Sequence, residues 1–138
     1  MDRIVHIIGA RPNFMKAAPV ISEIEKGKNF EQVIIHTGQH FDKEMSDVFL
    51  SQLNIPKPNY KFSLESKSAL SQISEIITKL ENILIKETPK LVIVYGDVNS
   101  TLAASIAANK LCIKLCHVES GLRSFDRSMP EEINRIIT

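Results

Sequence analysis

Two short apolar runs, each closed by a glycine, constrain this chain more than any other feature. Residues 3–9 read RIVHIIG and residues 91–96 read LVIVYG. Both are β-branched and nearly continuous, without the alternation of a strand that keeps one face in water. Such runs suit strands buried on both faces, as in a parallel sheet covered by helices.

The segments between them carry the complementary signal. After residues 3–9, Ala10-Arg11-Pro12 makes a turn, and Ala17, Val20, Ile21 and Ile24 recur at helical spacing. Pro19 interrupts that pattern: either it sits in the first turn, or it kinks the helix. Gly27 is a stop signal. A second strand is expected over 32–37, then a helix over 44–53 with Met45, Val48, Phe49 and Leu53 inward. A short third strand at 60–62 precedes the clearest helix, 66–86, with Leu70, Ile73, Ile77, Leu80 and Leu84 spaced 3-4-3-4. Strand 91–95, a small-residue helix, strand 113–118, a charged loop and an amphipathic pattern from Pro130 complete the chain. Strand and helix in alternation predict an α/β, Rossmann-like parallel sheet with helices on both faces and right-handed crossovers. At 138 residues this is one domain, 1–138. The pattern begun at Pro130 is still running at Thr138, so the expectation is a piece of something longer.

The formal net charge is +1, from 17 Lys+Arg against 16 Asp+Glu. That balance exerts no general pull toward nucleic acid or an anionic membrane, so any phosphate site must be built locally. Cys112 and Cys116 read as two small buried hydrophobes in a reducing compartment. His117 would point away from Cys116 on a strand, so no metal is expected. No apolar stretch approaches a membrane span and no leader pattern opens the chain, which makes a cytoplasmic location the default.

Five places carry chemistry. Gly9-Ala10-Arg11-Pro12-Asn13-Phe14-Met15-Lys16 joins a glycine-closed strand to a helix start, where free N–H groups and two cations, Arg11 and Lys16, suit a phosphate. A plain turn with two solvated charges reads equally well. It is neither G-x-G-x-x-G nor a P-loop. His36-Thr37-Gly38-Gln39-His40 leaves a strand, so its histidines are polar strand-end groups rather than a helical metal pair. In Gly96-Asp97-Val98-Asn99-Ser100-Thr101, Asn99 or Ser100 is the better helix cap, which leaves Asp97 free to face a cleft. In His117-Val118-Glu119-Ser120-Gly121-Leu122-Arg123, alternation puts His117 and Glu119 on one face. Glu119 is then either a structural partner of Arg123 or His117, or a carboxylate tuned for proton transfer. Pro130-Glu131-Glu132 is by itself good electrostatics for a helix start. Together Arg11, Lys16, Asp97, Glu119 and Glu131 gather at the carboxyl edge of one sheet, where open α/β folds bind ligands. Carboxylates beside cations suit a phosphorylated sugar or nucleotide.

The segments GARPNFMK (9–16), TGQH (37–40), YGDVNSTLAA (95–104), HVESGLR (117–123) and MPEEINR (129–135) resemble, in order over essentially the whole chain, the non-hydrolysing UDP-N-acetylglucosamine 2-epimerases. The resemblance implies the two-domain GT-B type fold, with this chain as most of the amino-terminal domain and the carboxyl-terminal nucleotide-binding domain absent. It implies interconversion of UDP-N-acetylglucosamine and UDP-N-acetylmannosamine, used for cell-surface polysaccharide precursors. A base removes the C2 proton while UDP leaves C1, and both return to the 2-acetamidoglucal with C2 inverted. Neither nicotinamide nor metal is implied as cofactor. By motif, Asp97, Glu119 and Glu131 match the acidic residues of that proton chemistry, their roles as acid or base left open. Arg11, Lys16 and Arg135 match the substrate-binding cations. Gln39 and His40 match the start of a segment that binds a second UDP-N-acetylglucosamine as activator in bacterial members. After His40 this chain reads Phe-Asp-Lys-Glu-Met, where activator-dependent members read closer to Arg-Glu-Met. Ser120 stands where Ala is common. The family is usually homodimeric. Alternatives are a 2-epimerase of a UDP-diacetamido sugar or its uronic acid, a hydrolysing relative, or a non-catalytic UDP-sugar-binding domain. The chain alone is expected not to turn over.

Overall fold

A computed structural model describes residues 1–38 and 43–138, with every side chain there except those of Arg11 and residues 43–46. The elements are β1 Asp2–Ile8, α1 Arg11–Gly27, β2 Phe30–His36, α2 Lys43–Gln52, β3 Tyr60–Lys61, α3 Ala69–Glu87, β4 Leu91–Tyr95, α4 Asn99–Lys110, β5 Lys114–Val118 and α5 Pro130–Ile137. The five strands are parallel in the order β3-β2-β1-β4-β5. This is the Rossmann-like sheet that the apolar runs predict.

Register explains why β1 and β4 are apolar on both faces. Val5 lies opposite Val33 of β2 and Val92 of β4. On that face Val5, Ile7, Val33, Ile35, Val92 and Val94 meet Ile76, Leu80 and Leu84 of α3 and the alanines of α4. On the other face Ile4, Ile8, Ile34, Ile93 and Tyr95 meet Phe14, Ala17 and Ile21 of α1 and Leu50 of α2. Each such fully buried aliphatic side chain contributes about 1.5–3 kcal/mol. Because α4 is buried almost all round, it needs small residues, and Ala103, Ala104, Ala107 and Ala108 supply them. Its hydroxyls are satisfied internally: Thr101 Oγ1 donates to Tyr95 O at 2.8 Å and Ser105 Oγ to Leu102 O at 2.7 Å.

The structure corrects three details and decides between the two readings of Pro19. Leu70 is 79% exposed; the first turn of α3 stands clear of the sheet, and the helix packs only from Ile73 onward. In α2 Leu50 is buried while Val48 is exposed, since two residues are about 200° apart around a helix. Phe49 and Leu53 pack inward as expected, and Met45 lies outside the described side chains. Pro19 sits in the interior of α1, the helix start being taken by Pro12. Cys112 and Cys116 are exposed, not buried. They belong to the edge strand β5 and its entry turn, which have a neighbour on one side only.

Candidate functional site

From β1 the chain moves to β2 on one side, and β4 takes up the other side. The strand order therefore reverses between β1 and β4, and a crevice opens where their exits diverge. Asn13, buried, ties the two exits together. Its Oδ1 accepts from Gly9 N at 3.0 Å and Ala10 N at 3.1 Å, and its Nδ2 donates to Tyr95 O at 2.7 Å. The glycine that closes β1 is dictated by crowding. A Cβ there would lie 2.1 Å from Ser100 Oγ and 2.3 Å from Thr37 Oγ1, which are hydrogen-bonded to each other at 2.6 Å.

β4 and β5 are joined at their ends in the same way. Gly96 N donates to Val118 O at 3.0 Å, and His117 Nε2 donates to Gly96 O at 2.6 Å. Gly96 has φ +68°, a glycine conformation, and its bare Cα lets Lys16 approach: a Cβ would sit 3.1 Å from Lys16 Nζ. Lys16 Nζ reaches Glu119 Oε1 at 2.9 Å. Glu119 itself has φ +68°, so the strand alternation that would pair it with His117 has already ended. Both structural alternatives for Glu119 are thereby corrected, because Arg123 goes elsewhere as well.

Arg123 goes to Glu132. That carboxylate is fully buried, and it accepts from Arg123 Nε at 3.2 and 3.1 Å, from Ser124 N at 3.3 Å and from Phe125 N at 2.8 Å. Arg123 foremost, with these backbone donors, holds the Glu132 pKa down at about 2 against its own desolvation. Glu132 thus shapes the irregular segment between Glu119 and Glu131. One helical turn on, Arg135 Nε and Nη2 both donate to Asp97 Oδ2, at 3.0 and 2.7 Å. This raises the Arg135 pKa and leaves Asp97 Oδ1 without a partner among the described residues. Asn134 Nδ2 donates to Asp97 O at 2.8 Å and to Asn99 Oδ1 at 3.1 Å.

The result is a cleft of about 240 Å³ lined by Ala10, Asp97, Val98, Asn99, Pro130, Glu131 and Asn134. Of the candidate residues, Asp97 and Glu131 share this cleft, Lys16 and Glu119 form an ion pair over Gly96, and Arg135 is engaged by Asp97. The Arg11 side chain, Gln39 and His40 lie outside what the structure describes. The cap reading of Asn99 and Ser100 is corrected: Val98 is the N-cap of α4, with no side-chain cap bond. Sequence reasoning missed Asn13, Glu132 and Asn134 as builders of the site. A signal was present for two of them, since Glu132 and Arg135 stand at i, i+3, as do Glu131 and Asn134. Among the described residues no three His, Cys, Asp or Glu side chains gather as a metal would require. No helix there is long and apolar enough to cross a membrane. Two carboxylates lining one cleft, one of them held by Arg135, with a third paired to Lys16 over the neighbouring Gly96, form an arrangement able to move protons on a bound ligand.

Comparison with known proteins points the same way. A family model described as UDP-N-acetylglucosamine 2-epimerase matches residues 22–138. A UDP-N-acetylglucosamine 2-epimerase homolog from Methanococcus maripaludis is 57% identical over 99% of this chain and 38% of its own length. The UDP-2,3-diacetamido-2,3-dideoxy-D-glucuronate 2-epimerase of Pseudomonas aeruginosa is 47% identical over the same shares. The crystal structure of Methanocaldococcus jannaschii UDP-GlcNAc 2-epimerase with UDP-GlcNAc and UDP superposes with a TM-score of 0.92 at 43% identity, covering 98% of this chain and 37% of that one. The Neisseria meningitidis enzyme bound to UDP-GlcNAc gives 0.91 at 35%, covering 99% and 37%. The chain therefore spans little more than a third of the length of these relatives.

Proposed function

Because the chain belongs to the UDP-N-acetylglucosamine 2-epimerase family, we propose that residues 1–138 are the amino-terminal domain of a GT-B type enzyme that interconverts UDP-N-acetylglucosamine and UDP-N-acetylmannosamine. The observation that carries the reading is the pair Asp97 and Glu131 lining one cleft at the β1/β4 crevice, with the Glu119–Lys16 pair over Gly96, the residue before Asp97. In this reading one carboxylate takes the C2 proton as UDP departs from C1, and a second returns a proton to the opposite face of the glucal before UDP re-adds. Glu119 and Lys16 hold charge beside the reacting sugar. Arg11 joins Lys16 in binding substrate, and Arg135 acts on it through Asp97. A carboxyl-terminal domain binds the nucleotide and completes the cleft. A homodimeric cytoplasmic enzyme, activated by a second UDP-N-acetylglucosamine near Gln39 and His40 and supplying polysaccharide precursors, is the fuller form of the proposal.

A second reading is favoured by the 47% identity to the Pseudomonas aeruginosa protein: a 2-epimerase of a UDP-diacetamido uronic acid. One experiment separates them. The full-length enzyme is incubated with each UDP-sugar in heavy water, and deuterium at C2 is followed by proton NMR. Deuterium entry with UDP-N-acetylmannosamine appearing supports the first reading. Exchange confined to the diacetamido uronate supports the second, and exchange in neither removes the epimerase proposal.

A further inference from the structure

Asn99 has half of its amide uncommitted. It is the first residue of α4 rather than the cap, and its Oδ1 accepts from Asn134 Nδ2 at 3.1 Å. A carboxamide is planar, so holding its oxygen toward Asn134 turns the NH2 the other way. Asn99 lines the cleft, and its two Nδ2 hydrogens meet no acceptor among the described residues.

The other polar side chains lining that cleft are Asp97, Glu131 and Asn134. An ionised carboxylate only accepts, the proton that a second carboxyl returns is the one delivered to C2, and Asn134 has committed both amide hydrogens, to Asp97 O and Asn99 Oδ1. Among the described lining side chains, Asn99 therefore offers the one uncharged N–H donor. The distinction matters for a sugar. A hydroxyl can donate to Asp97 or Glu131, but an acyl carbonyl oxygen can only accept, and buried beside two carboxylates it is costly unless a donor meets it.

Resting on the epimerase reading, we propose that Asn99 is a specificity-determining residue whose Nδ2 donates to the acylamino carbonyl oxygen of the sugar, with Asn134 as the positioning residue that turns the amide toward it. The acyl group sits on the carbon that loses its proton, so this bond also orients C2 toward the carboxylates.

The test uses the full-length enzyme and two probes: UDP-N-acetylglucosamine, and UDP-glucose, whose C2 carries a hydroxyl instead. Binding of each is measured by calorimetry alongside turnover. Asn99→Ala should weaken UDP-N-acetylglucosamine about tenfold, in Kd and KM together, while UDP-glucose affinity stays within about twofold. Asn99→Ser, which keeps an oxygen for Asn134 and suits a helix start, should show the same selective loss, and thermal midpoints confirm that both variants fold. Unchanged affinity for UDP-N-acetylglucosamine, or equal weakening of both probes, would overturn the assignment. A wild-type enzyme that binds UDP-N-acetylglucosamine but does not epimerise it would instead count against the proposed function, and the paired affinities would still decide Asn99.

Discussion

Arg135 reaches back across 38 residues to Asp97, its Nη2 2.7 Å from Oδ2, and so binds the last helix to the exit of β4, the strand beside the central β1. Both nitrogens it uses converge on the one oxygen. The pair keeps Asp97 aimed, and the same guanidinium has Glu132 Oε1 at 3.6 Å on its other side. A single cation thereby couples a cleft carboxylate to the loop that follows β5.

Arg135→Lys keeps the charge but loses the two-nitrogen grip on Oδ2. In the full-length enzyme kcat should fall by about 10²-fold, in the range that a misplaced acid–base group costs, with little change in thermal midpoint. Steady-state kinetics beside a melting curve check this. Near wild-type kcat would mean that Asp97 needs no help in orientation.

Gly96→Ala adds a Cβ 3.1 Å from Lys16 Nζ at a backbone with φ +68°. The left-handed conformation alone costs about 1–2 kcal/mol with a side chain present. Lys16 must also move, which separates it from Glu119. The expected outcome is a lower thermal midpoint together with a larger loss of turnover than the stability change explains.

Glu132→Gln removes the charge that collects Arg123, Ser124 N and Phe125 N. Arg123 is left without its carboxylate, and the 119–131 segment loses its anchor. Thermal unfolding should come several degrees lower, and amide exchange should quicken at Ser124 and Phe125 before it does in the sheet. Protection at those two amides equal to wild type would contradict this role for Glu132.

His6 supplies a pH dependence outside the cleft. It is fully buried in the α1 face of the sheet, with Nδ1 2.8 Å from Tyr95 Oη and Nε2 2.9 Å from Gln32 Oε1. Burial lowers its pKa to about 4, against a partial opposing effect of Gln32. The neutral form is the folded one, whereas the unfolded chain takes up a proton near pH 6.5. Stability from this group is therefore complete above about pH 6.5 and is lost as pH falls toward 4, by about 3 kcal/mol in all. The lowered pKa of Glu132 acts in a more acidic window, below its unfolded value. Melting curves between pH 7 and pH 4 should show the decline, and His6→Gln should flatten it.

What the sequence determined by itself was everything that depends on near neighbours along the chain. The β-branched runs at 3–9 and 91–95 specify strands buried on both faces, and the 3-4 spacing after Ile73 specifies the helix that covers one of them. Alternation of the two specifies a parallel sheet, and parallel strands place Gly9 and Gly96 at the same edge. Motif resemblance then singled out Asp97, Glu119 and Glu131. Only the tertiary structure decided which side chains pair. Whether Glu119 meets His117, Arg123 or Lys16 depends on where β5 ends and on the sign of one φ, and neither has a period in the sequence. Whether Glu131 or the adjacent Glu132 faces the cleft depends on the rotation of α5 against α4. Leu70 and Cys116 were misread for the same reason: periodicity shows which face a residue shares, but only packing shows whether anything covers that face.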